Sequence, residues 1–189
     1  MGVALVAVVL LSDGFEEVEA IVPVDILRRA GVTVQLVAVG GDGTISGAHG
    51  IAVAVDGCIG ECAAESFAAL IIPGGRAVAA LRKSEEVRRL VVGAFSAKKL
   101  IGAICAAPTI LMDNDLLAGH RFTAYPGCVT GADESKSTIE SGQIVTGRDP
   151  GAAAQFGLTI ARRLVGAETA ASVASTMGYP QQWATAPNE

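Results

Sequence analysis

Aromatic side chains are scarce in this chain: five Phe, two Tyr and one Trp, 4% of 189 residues. Histidine occurs only at 49 and 120, and neither a Ser-His-Asp nor a His-Glu-x-x-His pattern is present, which leaves two common hydrolase designs without their parts. Charge is sparse as well. Charged residues make up 17%, the formal net charge is −5, and no basic stripe occurs, so nucleic-acid binding has no electrostatic footprint. The apolar Met1–Leu11 run is too short to span a bilayer and lacks the basic start and small-residue cleavage site of a signal peptide. The four cysteines, at 58, 62, 105 and 128, outline no small disulfide scaffold. Cys58-Ile-Gly-Glu-Cys62 has neither a second pair nor a nearby histidine motif, so zinc is not expected. The expectation is a cytoplasmic protein with reduced thiols and no metal, cofactor, membrane or nucleic-acid partner.

What the chain has in quantity is aliphatic: hydrophobic residues reach 51%. That suits a sheet covered by helices on both faces. Val3 to Leu11 predicts a central parallel strand. Phe15 to Ala30 carries helical spacing, with Phe15, Val18, Val22 and Ile26 on one stripe, a kink at Pro23 and a left-handed cap at Gly31. Thr33–Val39 predicts a second strand. The Gly40–Gly43 turn leads into a hairpin formed by Thr44–Ser46 and Ile51–Val55, not into the helix that a dinucleotide fingerprint needs. Phe67–Ile72 and Leu100–Ile104 read as strands. Ser84–Ser96 reads as a capped amphipathic helix. Phe122–Ala124 and Ile144–Thr146 read as short strands, and Ala152–Val165 and Glu168–Thr176 as helices. The tail from Gly178 shows no period. With no repeat and no linker, the reading is one domain over residues 1–189, an α/β, doubly wound, mostly parallel sandwich.

The sequence is organised around Lys99–Pro108. Its strand ends at Ile104, Cys105 stands at the junction, and Ala106–Met112 starts a helix with Pro108 in the first turn. A thiol there lies where α/β sheets place ligands, at the positive end of a helix, where its pKa falls. The other reading is an inert core cysteine. Pro73-Gly74-Gly75-Arg76, after another strand, is either a tight turn or a place where amides approach a ligand as an oxyanion hole. Asp13, Glu16, Glu17 and Glu19 surround the first helix start. They complement the helix dipole; Glu16 and Glu19, three apart, share a face, and a carboxyl on that face turned toward Cys105 would have its pKa raised and shuttle protons for the thiol.

A resemblance adds to this. Glu16-Glu17-Val-Glu19-Ala-Ile-Val-Pro23-Val-Asp25 with Arg28-Arg29-Ala30-Gly31, then Ile72-Pro73-Gly74-Gly75, Ala103-Ile104-Cys105-Ala106-Ala107-Pro108 and Thr146-Gly147-Arg148-Asp149-Pro150-Gly151, follow in order along nearly the whole chain. They resemble the ThiJ/PfpI superfamily, and within it the branch of the Parkinson-disease-associated deglycase and bacterial YajL. The resemblance implies a flavodoxin-like fold, a homodimer, a nucleophilic Cys105 hydrogen-bonded to Glu19, and the amides of Gly75 and Ala106 beside the thiol. Gly74, Glu16 and Tyr125 support this site, and Arg28 and His49 occupy positions that face a neighbouring subunit's active site in relatives. It also implies activity as a cofactor-independent glyoxalase/deglycase on methylglyoxal, glyoxal or their early glycation adducts. Tyr125 stands where many relatives carry His, and a phenol of pKa about 10 is a poor base at neutral pH. Ala106 stands where protease-like relatives carry His. The alternative implied function is a redox-sensing protective protein whose cysteine is oxidised to a sulfinate.

Overall fold

The chain is described by a computed structural model over residues 5–41 and 43–185. It alternates strands and helices: β1 (Val6–Leu11), α1 (Glu17–Arg29), β2 (Thr33–Ala38), β3 (Thr44–Ser46), β4 (Ala52–Ala54), β5 (Gly57–Cys58), β6 (Ala69–Ile72), α2 (Val78–Leu81), α3 (Glu85–Ser96), β7 (Leu100–Ile104), α4 (Pro108–Met112), β8 (Thr138–Ser141), β9 (Ile144–Gly147), α5 (Ala153–Val165), α6 (Ala167–Thr176) and α7 (Gln182–Thr185). Seven strands form one sheet in the order β5-β2-β1-β6-β7-β9-β8. All neighbours run parallel except β8, which pairs antiparallel with β9 at the edge. β3 and β4 make the separate antiparallel hairpin. This is the flavodoxin-like sandwich expected from the alternation of elements.

Successive strand residues feed opposite faces. In β1, Ala7, Val9 and Leu11 join α1, α5 and α6 in one core layer. Val8 and Leu10 join α3 and α4 in the other. β1, β6 and β7 are therefore apolar throughout, as parallel strands covered on both sides must be. The α1 and α5 axes approach closely at Gly157, where a Cβ would lie 3.0 Å from both Pro23 Cα and Ile26 Cδ1.

Several local expectations need correction. Val3 and Ala4, Asp42 and residues 186–189 lie outside the described residues, so the predicted first strand is observed from Val6. Helix α1 includes Pro23 and closes on Gly31 at φ 81°, the left-handed cap expected there. Its buried side is Glu17, Glu19, Ala20, Pro23, Val24, Ile26 and Leu27, whereas Val18, placed on the predicted inner stripe, is 45% exposed. The helix carries apolar residues on more than one stripe, and the position of α5 selects which is covered. Phe122–Ala124 is not a strand. Thr123 N–H donates to the Thr146 hydroxyl at 2.9 Å and Phe122 C=O accepts from Asp133 N–H at 2.9 Å, so side chain and loop take the bonds a ladder would use. β8 and the two-residue β5 are unpredicted, and so is α7, where Tyr179 and Trp183 stack with centroids 6.1 Å apart.

The sheet meets α5 most tightly at Gly102 on β7, where a Cβ would come within 2.7 Å of Ile160 Cδ1 and 2.8 Å of Phe156 Cζ. Phe156 and Ile160 are fully buried. Gly102→Val should therefore lose about 1–3 kcal/mol through overpacking, seen as a lower urea midpoint. An unchanged midpoint would mean that α5 does not press on the sheet there.

Candidate active site

Strand β7 must reverse into α4 within three residues, and Cys105 takes the turn with φ 63°. A non-glycine residue in the left-handed region is strained by about 1–3 kcal/mol and persists only where its surroundings hold it. Cys105 N–H donates to Gly147 O at 2.9 Å on β9, and Cys105 C=O accepts from Tyr125 N–H at 2.8 Å. Ala107 N–H closes the turn on Ile104 O at 3.0 Å. The thiol thus stands on a braced elbow, half-buried.

The turn after β6 meets this elbow. Gly75 adopts φ 88°, and a Cβ there would lie 2.5 Å from Gly14 O and 2.6 Å from Glu16 N, so only glycine fits. At Gly74 a Cβ would lie 2.6 Å from Glu19 Oε2, 2.7 Å from Cys105 Cβ and 3.1 Å from Cys105 Sγ. Carboxyl and thiol therefore converge over one bare Cα. Glu16 N–H donates to Gly74 O at 3.1 Å, and Ala77 N–H to Gly14 O at 3.1 Å, tying the start of α1 to the same turn.

Glu19 is fully buried. Gly74 N–H donates to its Oε2 at 2.7 Å, while its Oε1 has no hydrogen-bond partner among the described residues. Burial pushes Glu19 up to about 7, and the charges of Glu16 and Asp149 push the same way against the Gly74 amide. The Cys105 thiol also hydrogen-bonds the carboxyl and opposes the rise, but burial outweighs both donors, and a neutral carboxyl suits the unpartnered Oε1. Burial also pushes the Cys105 thiol up to about 12, reinforced by the Glu19 charge, while the amides of Gly75 and Ala106 donate to sulfur and oppose the rise. This corrects the expectation of a thiol that titrates low by itself. Its burial outweighs the helix end. The first proton leaves the thiol–carboxyl pair near neutrality, and the second is held far above it.

The remaining candidates fall around this centre. Tyr125 is exposed, and its backbone joins the elbow. His49 was expected at a neighbouring subunit's site; its contacts here are within its own chain, Nδ1 lying 2.9 Å from Glu17 Oε2 and 3.6 Å from Glu16 Oε1. Arg28 lies at the far end of α1 and donates to Val34 O at 3.2 Å. Glu16, Glu17 and His49 converge within 4.8 Å, but their polar atoms engage one another and loop amides, which makes them an ion-pair cluster. All four cysteines are free. Glu17 is the residue that sequence reasoning treated only as a helix-start acid. It is 5% exposed, and burial would raise its pKa, yet the His49 ring and the amides of His49 and Ile51 hold it down at about 2. Its partners lie more than thirty residues downstream, so no local signal marks it.

The sequence profile of the DJ-1/PfpI family matches residues 6–163, and the chain belongs to that family. The chain is 33% identical over 175 residues to the Drosophila melanogaster protein dj-1beta, covering 89% of this chain and 94% of that protein. It is 32% identical to the Danio rerio Parkinson disease protein 7 homolog, over 88% and 93% of the two chains. A Pyrococcus abyssi protein named a deglycase is 40% identical over 119 residues, 63% of this chain and 71% of that one. The crystal structure of Drosophila DJ-1beta superposes with a TM-score of 0.88 at 31% identity, covering 94% of this chain and 100% of that one.

The raised Glu19 also shapes stability. A carboxyl at about 7 in the folded chain and near 4.5 in the unfolded one stabilises the fold below pH 4.5, and that contribution is lost as pH rises to 7. The loss is on the order of 3 kcal/mol at most. Glu19→Gln should remove it, so the variant gains on wild type between pH 4.5 and 7 in urea titrations. A stability difference independent of pH over that range would place the proton elsewhere.

Proposed function

We propose that this chain is a cysteine-dependent, cofactor-independent glyoxalase/deglycase that consumes methylglyoxal, glyoxal or their early glycation adducts and releases a hydroxy acid. The observation that carries the reading is the convergence of Cys105 Sγ and Glu19 Oε2 over Gly74, with two amides donating to sulfur. The homologues named deglycases support the substrate class. For methylglyoxal, the pair enters with one proton, held by Glu19; the Cys105 thiolate adds to the aldehyde carbon, the carbonyl π bond breaks, and its oxygen takes the Glu19 proton, giving a hemithioacetal. Glu19, now ionised, removes the proton from that carbon, the neighbouring carbonyl oxygen takes up the hydroxyl proton by way of an enediol, and Glu19 returns its proton to the adjacent carbon, giving the thioester of lactate. Water cleaves the thioester, releases lactate and restores the thiol. The Gly75 and Ala106 amides face the charge that develops at this centre. A carboxyl whose pKa lies near 7 suits both halves of the proton transfer, since either form is populated at neutral pH.

The same reading takes the protein as a cytoplasmic homodimer. Val18, Ile21 and Ile51 are exposed apolar side chains on α1 and the β3–β4 hairpin, a face that a second copy would cover. Light scattering should give twice the chain mass at micromolar concentration. No helix among the described residues is long and apolar enough to cross a membrane. A redox-sensing role is the second reading: the donors around Cys105 would equally hold a sulfinate, and a Toxoplasma gondii DJ-1 that superposes at TM-score 0.88 was solved oxidized.

Lactate formation from methylglyoxal without added metal separates the two. Cys105→Ser should abolish it, and Glu19→Gln should lower it by about a hundred- to ten-thousand-fold. Tyr125→Phe should cost about tenfold or less, the worth of one neutral hydrogen bond. Wild type without turnover, or Cys105→Ser with full turnover, overturns the enzymatic reading.

A further inference from the structure

The first turn of α1 holds a second buried carboxylate that the reaction does not touch. Acids at a helix start are ordinarily exposed and complement the dipole. Glu17 instead accepts from His49 N–H at 2.7 Å and Ile51 N–H at 3.4 Å through Oε1, and its Oε2 lies 2.9 Å from His49 Nδ1. The loop between β3 and β4 is moulded around it. A Cβ at Gly47 would lie 2.3 Å from Glu17 Cδ, Ala48 N–H donates to Phe15 O at 2.8 Å, and Ser46 N–H donates to Asp13 Oδ1 at 2.8 Å. The loop backbone is thus fixed, and one ring nitrogen, His49 Nδ1, lies 2.9 Å from Glu17 Oε2 and 3.6 Å from Glu16 Oε1.

Glu16 connects this loop to the reacting pair. Its amide is bonded to Gly74 O, and its charge acts on Glu19. The charged groups around the pair are Glu16 from α1, Asp149 after β9, which pairs with Arg148 at 2.8 Å, and Cys105 and Glu19 themselves. Those around His49 are Glu16, Glu17 and Arg76. Glu17 raises the proton affinity of His49, Glu16 adds to it, and Arg76 opposes it.

We propose that Glu17 is a positioning residue: through the 47–51 loop it holds the His49 ring against Glu16, and the ring in its protonated form offsets the Glu16 charge that bears on the Glu19–Cys105 pair. The inference rests on Cys105 and Glu19 being the reacting pair. Glu17 touches neither substrate nor thiol and acts through His49. Without the cation, the Glu16 charge would disfavour a negative charge on the pair, and the pair would give up its first proton at higher pH.

The test is the pH dependence of Cys105 alkylation by iodoacetamide on the full chain, followed by mass spectrometry, beside the pH profile of kcat/KM. His49→Ala should move both midpoints up by about half a pH unit. Glu17→Gln should move them by a similar amount, and the double variant by no more than the larger single shift, because the two act in series. His49→Arg should leave the midpoint in place while Glu17 is present, and in the Glu17→Gln background it should not restore the wild-type value, because the side chain at 49 has lost its anchor. A purely structural Glu17 would lower the melting temperature and leave the midpoints unmoved. His49→Ala alters an exposed ring and decides the matter where Glu17→Gln fails to fold. Unmoved midpoints in His49→Ala, additive shifts, or full rescue by arginine in the absence of Glu17 would overturn the proposal. Loss of the enzymatic reading would show separately, as absent lactate formation with an intact alkylation profile.

Discussion

Everything at the centre of this molecule depends on placing a carboxyl and a thiol together out of water. Burial lifts both pKa values, and each group's charge would oppose the other's. A single buried acid of this kind would be a liability. The pair becomes tolerable because backbone amides reach it: Gly74 to the carboxyl, Gly75 and Ala106 to the sulfur. The proton is then left in a position where its movement costs little near neutral pH, which suits general acid–base chemistry.

The rest of the fold answers to that constraint. Amides can reach the pair only where chain segments pass without side chains, and so two glycines sit at the end of β6. A strained Cys105 persists only because β9 and the Tyr125 segment hold its backbone on both sides. The sheet order brings β6, β7 and β9 side by side, so their carboxyl ends deliver the glycine turn, the elbow and the Arg148–Asp149 pair to one edge. Helix α1 adds Glu19 from across that edge, pressed into place by α5 at Gly157. The rigidity of a parallel sheet between two helical layers is what allows three separate loops to meet within hydrogen-bonding reach.

Around this centre lies a second tier of charge. Glu17, His49 and Glu16 form a chain of contacts from the β3–β4 loop to the Gly74 turn. A buried, ionised Glu17 has more donors than a helix cap needs, and its loop is shaped to supply them. Arg148 and Asp149 close the opposite side. The site is therefore set by the balance of several nearby charges.

The local code was sufficient for much of this protein. Apolar runs gave the central strands because a strand buried on both faces can carry little else, and Leu100–Ile104, the Ser84 cap and Gly31 were legible from their own neighbours. The pattern of small residues around Cys105 marked an elbow, and Pro-Gly-Gly marked a close approach. Elements whose pairing depends on distant partners were not legible. β8 is polar and takes its edge from β9, Phe122–Ala124 lost its ladder to the Thr146 hydroxyl, and Val18 faced outward because α5 covered another stripe. The same division holds at the site. Which residues could react was written in their types and positions along the chain. Which acid is neutral, which is held ionised, and why the thiol does not titrate low were decided only in three dimensions, because desolvation and Coulomb energy depend on who lies nearby in space and not on who lies nearby in sequence.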